Sequence, residues 1–283
     1  MTSTEQPFPA GIPTDVPTPA RMYDYGLGGK DNYAIDRQAA LAGLADFPEI
    51  LDIARENRLF LYRAVRWLSR DAGIRQFLDM GSGLPAQQNV HQVAQQFRPD
   101  ARVVYVDNDP IVLAHGRALL ADGGQTTVIM ADMTDPRHVL AHPDVRRLFD
   151  FDQPVAALFL SVGHSITDDA VMHAMLSEVA DALVAGSFIA LSQIVGVDQA
   201  TADEHNEVAR RVGLPWKNRT AEKVSELLSG LEPVPPGLVD VVNWRPDPNQ
   251  PPLRPVDKPL RPFLGAAASN KRLYEFGGIM RKP

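Results

Sequence analysis

The chain has 283 residues, 45% hydrophobic and 22% charged, with a formal net charge of −7 and no cysteine. That composition suits a globular protein with a sizeable core. It disfavours a non-specific nucleic-acid binder, which would be basic, and it excludes disulfides, thiolate catalysis and cysteine-ligated metals.

Residues 1–20 hold five prolines, at 7, 9, 13, 17 and 19, and predict a disordered or extended arm. The arm has no basic start and no apolar segment, so it does not read as a secretory signal. No later run is long enough to cross a bilayer, and the cytoplasm is the default compartment. A mostly helical cap is expected over 21–72 and a sheet domain over 73–283, the two forming one structural unit. Within the cap, Gly28-Gly29 separates two short helical stretches, the second from near Asp31 to about Ala45. A longer helix is predicted from about Ile50 to Ala72, with Phe60, Leu61, Ala64, Val65 and Leu68 at helical spacing.

From Phe77 onward strands and helices alternate, the pattern of a parallel α/β sheet. Strands are predicted at Phe77–Asp79, Val103–Asp107, Thr126–Met130, Ala156–Val162 and Ser187–Gln193. The intervening helices are Gln87–Phe97, Pro110–Ala121, Pro136 to about Leu148, and Asp168–Leu183, with two more at Thr201–Val212 and Ala221–Leu228. A sixth strand is expected at Val239–Trp244 and a seventh at Leu273–Met280. The seven prolines between 246 and 262 make their connection an irregular loop. Two late strands without a helix between them imply an antiparallel pair at one sheet edge. The fold class is therefore doubly wound α/β, with a seven-stranded, mainly parallel sheet.

Chemistry concentrates at Phe77-Leu78-Asp79-Met80-Gly81-Ser82-Gly83-Leu84-Pro85. Here an apolar strand ends in an acid and runs into a glycine turn. Gly81 and Gly83 let backbone approach a ligand, and Pro85 suits the first turn of the next helix. Asp79 is placed to hydrogen-bond that ligand or balance a positive charge on it. The second strand ends in Asp107, 24 residues after Gly83, where an acid usually grips a ribose diol. Asp132 follows the third strand. Three acids at the carboxyl ends of successive strands read as a nucleoside site. No His, Asp and Glu cluster has metal-ligand spacing.

His164, just beyond the fourth strand, is a candidate base. Tyr23, Asp24 and Tyr33, with Lys30 and Asn32, belong to a glycine-hinged segment able to fold over a ligand. Asn57 and Arg58 on the long helix, and Asn89 and His91 after the glycine turn, are further contact candidates. Gly81-x-Gly83-x-x-Ala86 also fits the dinucleotide fingerprint, so an NAD(P)-dependent oxidoreductase stays a rival reading. Asp79 before the turn and the late strand pair argue against it. A P-loop is excluded, because Gly81–Gln88 lacks the Gly-Lys-Ser/Thr ending.

The order Asp79-x-Gly81-x-Gly83, Asp107, Asp132 and a closing strand pair resembles the class I S-adenosylmethionine-dependent methyltransferases. More narrowly, the chain resembles the actinobacterial S-adenosyl methyltransferase family, formerly a domain of unknown function. The residues that carry this are Arg21-Met22-Tyr23-Asp24-Tyr25-x-Leu27-Gly28-Gly29-Lys30-Asp31-Asn32-Tyr33, Arg55-x-Asn57-Arg58, Ile74 to Pro85, Asn89-Val90-His91, Val103 to Pro110 and Trp244-Arg245-Pro246. Ser82 stands where the family often has Thr, and Leu160 to Ser165 matches less closely. The resemblance implies a Rossmann-like fold under an N-terminal helical cap. It implies S-adenosylmethionine as cofactor and a methyl acceptor as substrate, expected to be a small molecule. It places Gly81, Ser82 and Gly83 under the cofactor's amino-acid end and ribose, and Asp79 near its ammonium. Asp107 would bind the ribose hydroxyls and Asn108 flank the adenine. Asp132 would accept from the adenine amino group, with Met133 beside the ring. Ser161, Tyr23, Lys30 and Asn32 complete the expected cofactor contacts, and His164 and Tyr23 are the catalytic candidates. A cofactor-binding regulator without transferase activity would use the same binding residues and is the alternative function.

Overall fold

The computed structural model describes residues 15–119, 124–211 and 213–283. Most of the expected proline arm, 1–14, lies outside the described residues, as do the expected helix end at 120–121 and residue 212. Helix α1 (Pro19–Gly26) starts inside the stretch expected as arm. Thr18 caps it through its hydroxyl, and Pro19 takes the first position, where no N–H partner is needed. Helix α2 (Ala34–Asp46) starts later than Asp31, because Asp36 Oδ2 accepts from the Tyr33 N–H and sets the first turn there. Helix α3 (Ile50–Arg70) follows.

The remaining elements run β1 (Gln76–Met80), α4 (Val90–Phe97), β2 (Arg102–Asp107), α5 (Pro110–Leu119), β3 (Thr126–Met130), α6 (Pro136–Ala141), α7 (Pro143–Leu148), β4 (Ala156–Leu160), α8 (Asp169–Ala182), β5 (Phe188–Gly196), α9 (Gln199–Arg211), α10 (Ala221–Leu227), β6 (Glu232–Pro233), β7 (Val239–Asp240), α11 (Ala266–Ser269) and β8 (Leu273–Arg281). Pro143 splits the single helix expected over 136–148, since a proline cannot continue the hydrogen-bond ladder. Pro85 does not open a helix. Helix α4 begins five residues later, where Asn89 and Gln92 cap its first turn.

The strand order is β3-β2-β1-β4-β5-β8, with β6 and β7 both on the outer edge of β8. Strands β1 to β5 are parallel, and β8 runs antiparallel to β5 over nine residue pairs. The sixth strand expected at 239–244 survives only as 239–240. Asp240 Oδ1 accepts from the Val242 N–H and turns the chain into a short 3-10 helix. The unexpected β6 adds two more residues to that edge, where a proline is tolerated. The sheet thus has eight strands, two of them fragments of one edge.

Both faces of the sheet are covered, which is why β1, β4 and β5 are buried along their whole length and read as apolar runs. On one face Phe60, Leu61, Ala64, Val65 and Leu68 of α3 and Val90, Val93 and Ala94 of α4 pack on Phe77, Val103, Leu158 and Ala190. On the other, Val139 of α6 and Met172, Leu176 and Val179 of α8 pack on Leu78, Val104, Phe159 and Leu191. Alternation along β1 sends Phe77 and Asp79 toward α3 and Leu78 and Met80 toward α8.

The chain turns back at β1. Strands β2 and β3 build outward on one side, and β4 and β5 on the other. The carboxyl ends of β1 and β4 therefore flank the switch point, the place where open α/β sheets bind ligands.

Phe60 is fully buried and meets Trp244 edge-on, with ring centroids 5.4 Å apart. Phe60→Ala is expected to cost about 3–5 kcal/mol, read from the denaturant midpoint at unchanged m-value. A loss under about 1 kcal/mol would show that α3 is not part of the cooperative core.

Candidate active site

Strand β1 hands over to the glycine turn through hydrogen bonds to β2. The N–H groups of Gly81 and Ser82 both donate to Val106 O, at 2.8 and 3.1 Å. The Gly83 N–H donates to Asp107 Oδ2 at 2.8 Å. Gly81 has φ +74° and Gly83 φ +65°, both in the left-handed region that favours glycine. Space matters only at the first. A Cβ on Gly81 would lie 2.7 Å from Val162 Cγ1 and 3.2 Å from Met133 Sδ, whereas one on Gly83 would meet nothing within 4 Å. The turn is thus wedged between the segments that follow β3 and β4, and is open at Gly83.

Asp107 is held from two sides, its other oxygen accepting from the Asp109 N–H at 2.9 Å. Burial raises its pKa, against these hydrogen bonds. Asp132 is exposed beyond β3 and accepts from the backbone and hydroxyl of Thr134. Asn108 is exposed beside Asp107. Asp79, Asp107, Asp132 and Met133 therefore line the same edge as the glycine turn, in the order of their strands.

Asp79 differs from the other two acids. It is buried, and among the described residues no group donates a hydrogen bond to its carboxylate. Burial pushes its pKa up to about 7; Arg58 pulls it down and Asp107 pushes it further up. Arg58 is itself engaged, donating to Gln87 O at 2.8 and 2.5 Å and to Asn89 Oδ1 at 3.0 Å. Asp79, Arg58, Asn89, His91 and Tyr105 line a cavity of about 30 Å³ behind the turn, room for about one water. The Tyr105 hydroxyl closes it, accepting from the His91 N–H at 3.0 Å and lying 2.7 Å from His91 Nδ1.

A second buried polar chain runs under α3 beside the ends of β4 and β5. The Tyr23 hydroxyl donates to Ala54 O at 3.0 Å and accepts from Asn57 Nδ2 at 2.8 Å. Asn57 Oδ1 accepts from the Ser192 hydroxyl at 2.7 Å. Ser161 donates its N–H to Ser192 and its hydroxyl, at 3.4 Å, to Glu275 Oε2. Burial lifts the Tyr23 hydroxyl to about 12 and the Glu275 carboxyl to about 8.

The other expected residues are engaged elsewhere. Lys30 is exposed and pairs with Asp257 at 2.8 Å. Asn32 donates to Asp24 Oδ2 at 2.8 Å, and Asp24 also accepts from the Asp31 N–H. Both side chains brace the 29–33 loop. His164 accepts at Nδ1 from the Ile194 N–H, at 3.5 Å. It is buried and stacks on Trp216 with ring centroids 3.8 Å apart. Burial, then His205 and Arg219, push its pKa down to about 3, leaving it neutral.

Sequence reading passes over Ser192 and Glu275. The available signal was an acid between Tyr274 and Phe276 in an otherwise apolar strand. Among the described residues no three His, Asp or Glu side chains gather as a metal site, and no helix is long and apolar enough to cross a membrane.

The sequence profile described as S-adenosyl methyltransferase matches residues 5–283. Among curated proteins none matches the chain. The crystal structure of a protein from Thermobifida fusca described as a candidate methyltransferase is similar at 41% identity and TM-score 0.80, covering 95% of this chain and 97% of that one. A DUF574 family protein from Streptomyces avermitilis is similar at 34% identity and TM-score 0.81, covering 95% and 99%. Geranyl diphosphate methyltransferase in complex with S-adenosylmethionine shares the fold, at 11% identity and TM-score 0.52 over 91% of this chain and 94% of that one. The chain therefore belongs to the S-adenosyl methyltransferase family and is a methyltransferase that uses S-adenosylmethionine.

Proposed function

We propose that the enzyme methylates a small-molecule acceptor in the cytoplasm, and that the edge formed by Asp79, Gly81, Ser82, Gly83, Asp107, Asn108, Asp132, Met133 and Ser161 holds the cofactor. The observation that carries this reading is the buried carboxylate of Asp79, which has no hydrogen-bond donor of its own among the described residues. A cationic amino group would satisfy it, and the cofactor has one. The rest of the donor set fits as well. Asp107 and Asp132 offer carboxylate oxygens to hydroxyl and amino hydrogens, and Met133 offers a soft surface to a ring. The turn leaves Gly83 open for close approach.

The cofactor supplies a methyl group already activated on a sulfonium, so the protein has mainly to align the acceptor and exclude water. Tyr23 suits the second task. Its hydroxyl is buried, bonded to α3 and held neutral. We read Lys30 and Asn32 as bracing residues and His164 as a packing residue. Residues 21–72 and 73–283 are read as one unit, supported by the apolar cluster that α3 shares with the strands. The net charge of −7 supports a small molecule over a nucleic acid.

Two results test this reading by titration calorimetry. Asp107→Ala should weaken S-adenosylmethionine binding by about tenfold or more, the worth of one charge-assisted hydrogen bond. An unchanged dissociation constant counts against the ribose role. Asp79 must ionise to pair with the ammonium. Its pKa is raised to about 7 in the free protein, so at lower pH binding has to expel a proton. The dissociation constant should rise as pH falls below about 7, approaching tenfold per pH unit. Asp79→Asn should bind more weakly without that slope, and a flat profile in the wild type would remove Asp79 from the ammonium.

A further inference from the structure

Glu275 is the third residue of β8, opposite Ile194 of β5 and on the face covered by α3. It is only 2% exposed, and its Oε1 has no hydrogen-bond partner. Burying an acid in a strand between apolar neighbours costs folding free energy. Its other oxygen accepts from the Ser161 hydroxyl at 3.4 Å, and the Ser192 hydroxyl also lies against the carboxyl. Ser161 is half-buried and is the first residue after β4. Its φ of +57° is left-handed, a costly setting for a residue with a Cβ. Two hydrogen bonds from its N–H, to Ser192 O at 2.9 Å and Ser192 Oγ at 3.0 Å, hold it there. The next residue, Val162, is the one that wedges against Gly81. A strained serine thus stands beside the glycine turn with an enclosed carboxylate directly behind it.

We propose that Ser161 touches the methyl acceptor and passes its proton to Glu275, so that the acceptor is an alcohol, a phenol or an amine. The proposal rests on the cofactor reading above and adds the chemistry of the second substrate. The acceptor's oxygen or nitrogen forms a bond to the methyl carbon, and the pair of the old carbon–sulfur bond stays on sulfur. The acceptor's proton goes to Ser161 Oγ as the Ser161 proton goes to Glu275 Oε2. Ser161 is the catalytic residue, and Glu275 is a positioning residue that acts through it.

The surroundings of Glu275 favour proton uptake. Burial is the main cause that holds its pKa near 8, and Asp240 on β7 adds to it. The Ser161 and Ser192 hydroxyls oppose the shift. Tyr23 of α1 faces it as a neutral phenol, and α3 presents the uncharged Asn57. Lys271 is paired with Asp240, and Arg58, which also acts on Tyr23, donates to Gln87 O and Asn89 Oδ1. A carboxylate so placed is a stronger base than one in water, and its proton affinity suits transfer near neutral pH.

The test needs no knowledge of the acceptor. Sinefungin carries an amine where S-adenosylmethionine carries its transferable methyl group, and S-adenosylhomocysteine carries nothing there. Both have the same amino-acid end, so the ratio of their affinities cancels Asp79. By calorimetry the wild type should prefer sinefungin by about tenfold or more, one charge-assisted contact. That preference should grow from about pH 6.5 to about pH 8.5 as Glu275 ionises. Glu275→Gln should lower it by about tenfold and flatten its pH dependence, while S-adenosylhomocysteine binds within about twofold of wild type. Ser161→Ala should lower it too, and carries the test if Glu275→Gln does not fold. An unchanged preference in the variants overturns the relay. A wild type that binds neither compound overturns the cofactor reading beneath it.

Discussion

The hydrogen bond from the Gly83 N–H to the Asp107 carboxylate ties the end of β1 to the end of β2, and the site is built around it. The Gly81 and Ser82 bonds to Val106 O bring the chain to that point. Around it the backbone turns left-handed at Gly81 and at Gly83, a conformation that favours glycine. The same contact spends one Asp107 oxygen on the backbone and fixes the orientation of the other, which the Asp109 N–H shares. A carboxylate clamped in this way is preorganised: a ligand's hydroxyls meet it without paying to order it.

Helix α3 connects this cradle to the N-terminal elements through two neighbouring residues. Arg58 reaches to Gln87 O and Asn89 Oδ1 and braces the loop after the turn. Asn57 reaches to Tyr23 and Ser192 and braces the other side. Both are buried, so each bond counts for more than the exposed pair of Lys30 and Asp257. One turn of one helix therefore sets the spacing between the glycine-turn edge and the β4–β5 edge. The apolar stripe of α3 keeps that turn in register with the sheet.

Strands β1, β4 and β5 were legible in the sequence because they are buried along their whole length; β2 is buried over its four central residues, and the edge strand β3, buried only at Val128 and Ile129, showed through its β-branched run. The glycine turn and its acids were legible because backbone geometry dictates residue type there. What failed to show was whatever depends on distant partners. Glu275 gains its meaning from Ser161 and Ser192, which only the antiparallel pairing of β8 with β5 brings to it. His164 looked like a base by its place after β4, but Trp216, far along the chain, covers it. The edge strand at 239 was overestimated because its β-branched run hides the turn that Asp240 enforces. Pro85 misled for a similar reason: a proline permits a helix start, whereas Asn89 and Gln92 supply one.

The two acids with the most raised pKa values, Asp79 and Glu275, both lie on the α3 side of the sheet near its carboxyl edge. Arg58 is the cation that moderates Asp79, and its Nε and Nη2 donate to the Gln87–Asn89 loop. A region holding two reluctant carboxylates and few available cations is tuned to a positively charged guest. In the proposed reading Asp79 meets a charge that persists through the reaction, since the ammonium is unchanged by methyl transfer. Glu275 meets one that does not. Before transfer its carboxylate offsets the charge on sulfur; afterwards sulfur is neutral, and a protonated Glu275 leaves no charge stranded in the interior. Through the relay, the charge of this buried pocket stays balanced at both ends of the reaction. That balance is what an acid buried behind a serine can supply and a solvated one cannot.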